Sequence, residues 1–387
     1  MLFYNAGIFT ACSGFIKNGY ILIKDGIIID VGPMEFCPKD AESYDLSGLT
    51  VYPGFIDAHC HIGMWEDGLS FEGDDGNEDT DPATPHLSAV DAVNPGDRCF
   101  AEAVDAGVTA VVTGPGSANP VAGQMVALKT YGDRVDDMII KAPQAMKFAL
   151  GENPKNTYHS KDETPTTRMA TAAIIREQLK KAMRYQRDLL AAEEDEETDE
   201  PDIDVKSEAL VDALDGSIQS HFHAHRSDDI FTAIRISKEY DLDLVLVHCT
   251  EGHLAAEKLA AEKAKAIVGP LICTRTKPEL SNERDENAAI LKKAGVEVAI
   301  CTDHPEVPIQ YLALSAGIAV RAGMDHEDAI KAITYFPARI LGLEDKIGCI
   351  APGRDADLVI FSGDPLSVYE KPLWVITGGK IAKKTLI

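Results

Sequence analysis

Apolar residues fall in short, strand-like runs at both ends of the chain and in more widely spaced runs between them. Tyr20-Ile21-Leu22-Ile23 leads into Lys24-Asp25-Gly26 and then Ile27-Ile28-Ile29-Asp30-Val31, which predicts two strands joined by a tight turn. The far end repeats the style. Asp357-Leu358-Val359-Ile360-Phe361 reads as a strand, and Trp374-Val375-Ile376-Thr377 with Gly378-Gly379-Lys380 as another strand and its turn. The middle has a different rhythm. Apolar runs at 107–112, 145–149, 217–220, 244–247, 267–269 and 297–301 alternate with helix-patterned segments at 171–190, 228–240, 251–264 and 283–294. Such alternation implies a parallel sheet, and about eight units imply closure into a TIM-type barrel. The expected fold class is α/β. A (β/α)8 barrel would span 54–345, and a small β-sandwich domain would form from 1–53 and 346–387.

Two stretches break the alternation. Residues 65–95 are acidic and rich in Gly, Asp and Pro, and they directly follow the first barrel strand. They read as a surface loop or as a lid, and their position over the barrel mouth favours a lid. Residues 191–205 carry Glu193-Glu194-Asp195-Glu196-Glu197, a run expected to be a solvated helix end or loop without chemistry.

The chain has 387 residues, with 37 Lys and Arg against 63 Asp and Glu, a net charge of −26. An acidic surface of this size repels nucleic acid and anionic membranes, so neither is an expected partner. The eight cysteines form no CxxC pair and no disulfide framework, and they read as reduced thiols of a cytoplasmic protein. The start lacks the pattern of a signal peptide, and no apolar window approaches ~20 residues.

The chemistry is carried by polar residues at strand ends. Gly54-Phe55-Ile56-Asp57-Ala58-His59-Cys60-His61 places two histidines two residues apart, so both face the same way on a strand. Later strands end similarly, in His221-Phe222-His223-Ala224-His225, in His248 and in Asp303. One buried histidine is an ordinary core residue. Ligand-type side chains at successive strand ends indicate a divalent metal site at the mouth, where barrel enzymes place their chemistry.

In these residues the chain resembles the amidohydrolase superfamily of metal-dependent hydrolases. The resemblance is carried by Pro53 to His61, by Gly107-Val108-Thr109, and by His223, His248 and Asp303 in order. Thr334-Tyr335-Phe336-Pro337-Ala338 and Gly353-Arg354-Asp355-Ala356-Asp357-Leu358-Val359 extend it to nearly the whole chain. It looks closest to the imidazolonepropionase-like and prolidase-like branch, and Gly151-Glu152-Asn153-Pro154-Lys155 with Thr167-Arg168-Met169 looks like a subgroup there. The resemblance implies His59, His61, His223 and His248 as metal ligands, and Asp303 as both ligand and general base. His248 and Asp303 would be the catalytic pair. His221 and His225 share the face of His223, and spacing does not choose among them. His223 is taken because the family pattern places the ligand first, leaving His225 for substrate or support. On the fourth strand Lys147 fits the family's carboxylated lysine bridging two metals; Glu152 is the alternative, and an unbridged single metal the third option. Zn2+ is the expected ion, as one or two per chain, with Fe and Mn also compatible with these ligands. Arg168, Arg226, His253, His304 and Tyr158 are further candidates for reading the substrate, and relatives suggest a homo-oligomer.

The expected reaction is hydrolysis of an amide C–N bond, cyclic or small and peptide-like, in a small-molecule substrate. Deamination of a heterocycle on the same site is the alternative, and a non-catalytic binding or assembly protein on this scaffold is the third. No GxSxG motif and no phosphate-binding glycine motif is present. Cys60, Cys249 and Cys301 adjoin the site in sequence; packing suits Cys60, which alternation turns away, and Cys301 shares the parity of Asp303.

Overall fold

The computed structural model describes residues 1–39, 42–195 and 197–385. Glu196 of the acidic run lies outside the described residues. Eight strands form the central sheet in sequential order. They are β1 (Phe55–Cys60), β2 (Val108–Thr113), β3 (Val121–Lys129) and β4 (Ile139–Ala149), then β5 (Gln219–Ala224), β6 (Leu244–His248), β7 (Lys265–Val268) and β8 (Glu297–Ile300). Just beyond their ends, β1 and β8 are tied by His61 N to His304 O at 2.8 Å and Asp303 N to His59 O at 3.2 Å. The sheet is thereby nearly closed.

One strand departs from the parallel expectation. β3 runs antiparallel to both β2 and β4. The cause is chain length. Residues 114–120 are all that separate β2 from β3, and a parallel return needs a dozen or more residues to cross the sheet. The other neighbours are parallel and register their polar residues at one level. Lys147 pairs with His221, and His248 with Ala224.

β1, β2 and β5 are buried along their whole length, as strands covered on both faces must be. Inside the barrel, below the mouth, Ile56, Ala58, Ala127, Val245, Ile267 and Ala299 pack together. Ile340 and Leu343 plug the bottom of the same cluster. Outside, the helix Ser227–Tyr240 lays Ile230, Ala233 and Ile234 against the strands and ends at Asp241 in the left-handed region (φ 55). Cys60 and Cys249 belong to this outer core, and Cys301 to the interior one.

The strands of the two chain ends share one further sheet of eight strands. Thr50–Pro53 pairs with Leu358–Phe361, joining the N-terminal and C-terminal segments directly. The strand pairing runs through one hydrogen-bonded sheet, and the start of its strand Ile27–Pro33 also bonds to the segment that precedes Leu358–Phe361. Ile28 N donates to Arg354 O, and Ala356 N to Gly26 O, both at 2.8 Å. The helix Arg168–Glu194 extends further into the acidic run than periodicity suggested. Residues 65–95 contain only short turns and lie along β3, with bridges from Ala83 to Val121 and Ser88 to Gln124. No helix among the described residues is long and apolar enough to cross a membrane.

Gly54 is the joint between the terminal sheet and β1, its N–H donating to Asp357 O at 2.8 Å. A Cβ there would stand 2.0 Å from Thr109 Oγ1 and 2.8 Å from Thr109 Cβ. We expect Gly54→Ala to destabilise the fold by about 1–3 kcal/mol through overpacking, read as a lower urea midpoint at unchanged slope, with Thr109→Ala recovering part of the loss.

Candidate metal centre

The mouth of the barrel gathers residues from five strands around a cavity of about 1040 Å³. β1 contributes His59 and the adjoining His61. Asp303, just past β8, places Oδ1 3.4 Å from the Nε2 atoms of both. β4 contributes Lys147, fully buried, whose Nζ stands 3.1 Å from His59 Nε2. On the other side, His223 of β5 and His225 just past it meet His248 of β6, with ring centroids 4.5–4.6 Å apart. The two groups adjoin, His59 and His248 centroids being 5.5 Å apart.

The backbone bends to aim these groups. His248 and Asp303 both adopt left-handed conformations (φ 69 and 55), unusual for non-glycine residues and typical of strained functional sites. Beneath them Asp57, fully buried, accepts hydrogen bonds from Thr302 N at 3.2 Å, Thr302 Oγ1 at 2.5 Å and His59 N at 3.3 Å. One carboxylate thus ties the segment carrying His59 to the one carrying Asp303. Burial pushes its pKa up to about 7 against those bonds.

The ring orientations are clamped as well. His61 Nδ1 donates to Gly114 O and His248 Nδ1 to Gly269 O, each at 2.7 Å. His225 Nδ1 meets Thr250 Oγ1 at 2.7 Å, and His223 Nδ1 meets Ser117 Oγ at 2.9 Å. A proton held on Nδ1 leaves the Nε2 lone pair free for a ligand bond. Burial pulls the pKa values of His59, His223 and His225 well below the ordinary histidine range, so these rings are neutral. Burial also opposes the charge of Asp303, but His248, His59 and His61 outweigh it and hold the carboxyl well below the usual range. Lys147 is brought down to about 8, chiefly by burial.

These residues fit a divalent cation. Asp303 Oδ1 is buried with no hydrogen-bond partner, and its 3.4 Å contacts exceed normal N–H···O lengths. The same spacing suits two donors on one tetrahedral ion, roughly 3.3–3.6 Å apart for bonds of ~2.0–2.2 Å. His59, His61 and Asp303 form one such donor group and His223, His225 and His248 another. His225, expected only near the substrate, stands inside the second.

Other expected residues lie elsewhere. Arg226 pairs with Asp228 at 2.9 Å, 44% exposed, because it caps the outward start of a helix. Arg168 is held by Asp229 at 3.0 Å, outside the cavity lining. Glu152 does not reach the histidines; its Oε2 accepts Glu279 N at 3.3 Å and its Oε1 accepts from Asn156 at 3.1 Å. His253 sits on the turn after β6, its Nδ1 donating to Thr250 O at 3.2 Å. His304 faces away from the cavity into a buried cluster with Asp97 and Cys99. Tyr158 donates to Asn119 at 2.6 Å and is fully buried.

Sequence reasoning missed Glu279, a buried carboxylate 3.6 Å from His225 Nε2. The available signal was its place in the irregular stretch after a barrel strand. It also passed over Trp65, whose ring centroid lies 4.7 Å from that of His61 where the 65–95 segment borders the cavity.

Residues 50–385 match the model of the Amidohydrolase family. Amidohydrolase tasK of Hapsidospora irregularis is 27% identical over 392 residues, covering 93% of this chain. The chain spans 39% of that protein's length. An imidazolonepropionase of Rhizobium rhizogenes is 24% identical over 395 residues, covering 93% of this chain and 91% of that protein. The crystal structure of an amidohydrolase from Thermotoga maritima MSB8 superposes with a TM-score of 0.95 at 42% identity, over 99% of each chain.

Elemental analysis of purified protein equilibrated with zinc tests the donor set. We expect tightly held ions, and a loss of affinity exceeding roughly tenfold in His61→Asn and Asp303→Asn. Arg226→Ala should leave the metal content unchanged.

Proposed function

The chain belongs to the amidohydrolase family, and from that premise we propose that it hydrolyses an amide C–N bond, cyclic or small and peptide-like, in a small molecule. The observation that carries this reading is that His61, His223, His248 and Asp303 line one cavity of about 1040 Å³, large enough for a small substrate, with His59 against Asp303 and Lys147 against His59 behind them. The family is metal-dependent, and an ion held by His59, His61 and Asp303 would supply Lewis acidity and lower the pKa of a water it binds. Zinc is the proposed ion.

Asp303 is placed to accept the proton of the attacking water. Its carboxyl is held ionised, and it lines the cavity between the two imidazoles. It then returns that proton to the leaving nitrogen. His248, with Nδ1 fixed on Gly269 O, offers the lone pair of Nε2 to the cavity, where it would serve as a metal ligand. Lys147, buried and brought to about 8 by that burial, has an amine reactive enough near neutrality to take up CO2 as a carbamate. Trp65 and Asn77 also line the cavity. We assign 54–345 to the catalytic barrel, and 1–53 with 346–387 to a small domain that braces it. The working form is a cytoplasmic homo-oligomer acting on a small molecule, with no nucleic acid or membrane partner.

The test is a panel of cyclic amides, N-acyl amino acids and dipeptides, with amine or carboxylate release measured on zinc-loaded protein. We expect turnover with one of these classes and a fall in kcat of about 100-fold or more in Asp303→Asn. Ammonia release from heterocyclic amines, with no amide turned over, would replace this reading with the deaminase one. Labelled bicarbonate should report the carbamate, its signal lost in Lys147→Met.

A further inference from the structure

The loop after β7 carries a cation that the reading above does not use. Lys277 lines the cavity, half-buried, just before the turn Pro278–Leu280. The proline after it restricts its backbone to extended conformations, and it stands at φ −123, ψ 148. The loop is also fastened to the helix Glu152–His159. Glu279 Oε2 accepts the Glu152 N–H at 2.9 Å, and Glu152 Oε2 accepts the Glu279 N–H at 3.3 Å. These reciprocal bonds set Lys277 beside Asn153, whose Oδ1 accepts from Nζ at 3.1 Å. Asn153 Nδ2 in turn lies 3.4 Å from His223 Nε2. One side-chain amide therefore separates the ammonium from the metal centre.

The charge of Lys277 is not matched. Among the described residues no carboxylate pairs with it, although Glu283, Asp285, Asp303 and Glu306 line the same cavity. Glu283 faces Arg275 at 3.8 Å, and Asp285 holds Arg321 at 3.0 Å. Asp303 belongs to the metal centre, and Glu306 is exposed to water. Arg321, which also lines the cavity, is thus engaged by Asp285 and is 72% exposed. An ammonium has three N–H donors, and Asn153 takes one of those on Lys277. A chain with a net charge of −26 has acidic partners in plenty. A half-buried ammonium left without one, beside the reacting centre, marks a place for an anion.

We infer that Lys277 is a specificity residue of this site, binding a carboxylate that the substrate carries only a few atoms from the amide to be cleaved. The inference rests on the amide-hydrolysis reading above and narrows it to acids: N-acyl amino acids, dipeptides and cyclic amides bearing a carboxylate. A neutral heterocyclic amine would leave the ammonium unpaired. Lysine suits the task, because a point charge on a flexible stem meets carboxylates on spacers of differing length. One charge-assisted hydrogen bond is worth about 10–100-fold in affinity. It is made equally before and during bond cleavage, so it acts on KM more than on kcat.

The test offers zinc-loaded protein N-acetyl amino acids, dipeptides and pyroglutamate, each beside its methyl ester. Binding is followed by calorimetric titration, and amide cleavage separately. We expect the acids to be preferred, in affinity and in kcat/KM. That preference should fall about 10–100-fold in Lys277→Met, chiefly through KM, while Lys277→Arg keeps most of it. Equal treatment of acid and ester by the wild-type protein, or binding of no acid, overturns the assignment. So does a Lys277→Met protein that loses both members equally, the outcome of a purely structural lysine. Wild-type crystals soaked with the tightest-binding acid decide the matter even if the variants misfold. The carboxylate should lie within about 3.2 Å of Lys277 Nζ; a carboxylate on the metal or on Arg321 instead overturns the assignment. Acids held by Lys277 with no amide cleaved would sink the proposed function and leave this assignment standing. Esters cleaved as fast as acids would do the reverse.

Discussion

The structure is organised around buried donor atoms that have no protein partner. Asp303 Oδ1 and Glu279 Oε1 are both sequestered from solvent without a hydrogen bond. Each such atom costs about 1–3 kcal/mol, against a total stability of roughly 5–15 kcal/mol for a domain. A fold does not gather such atoms in one place without compensation. Binding a divalent cation would more than offset the cost, since structural zinc contributes on the order of 10–16 kcal/mol. The same convergence supplies the chemistry, because donors made neutral or anionic by their surroundings are what a Lewis-acidic ion requires.

Everything nearby serves to hold those donors in place. Asp57 ties the end of β1 to the segment after β8 through Thr302 and the His59 amide, at the seam where the barrel closes. The Nδ1 clamps from Gly114, Ser117, Thr250 and Gly269 come from the loops at the strand ends. Strained backbone at His248 and Asp303 is tolerated because these contacts over-determine it. The antiparallel β3 belongs to the same economy of form. Its short entry loop, 114–120, presents the carbonyl and hydroxyl that fix His61 and His223, which a long helical crossover would not bring so close.

Much of the site was legible in the chain. His59 and His61 were readable because a strand repeats every two residues, which sends both imidazoles the same way. His248 and Asp303 were readable because each ends an apolar run, where barrel strands open. Lys147 stood out as a cation within an apolar strand. Arg168 and Arg226 misled, since a guanidinium near a strand end looks available for a substrate. Both are consumed by local carboxylates, Asp229 and Asp228, that lie on the helix following β5.

Alternation of apolar and polar residues by itself determined that strands and helices would interleave, that both chain ends would be β-structured, and which strand ends would carry ligand-type side chains. These are local properties, set by the period of side chains along a backbone. Only the tertiary structure decided that the terminal strands join as one sheet, that β3 reverses, that His225 stands with His223 and His248, and that Glu279 comes beside His223 and His225 from a loop after β7. Those outcomes depend on where separate segments meet. The physical reason is that a loop residue has no periodicity to betray its direction, and its neighbours are chosen by packing across the sheet.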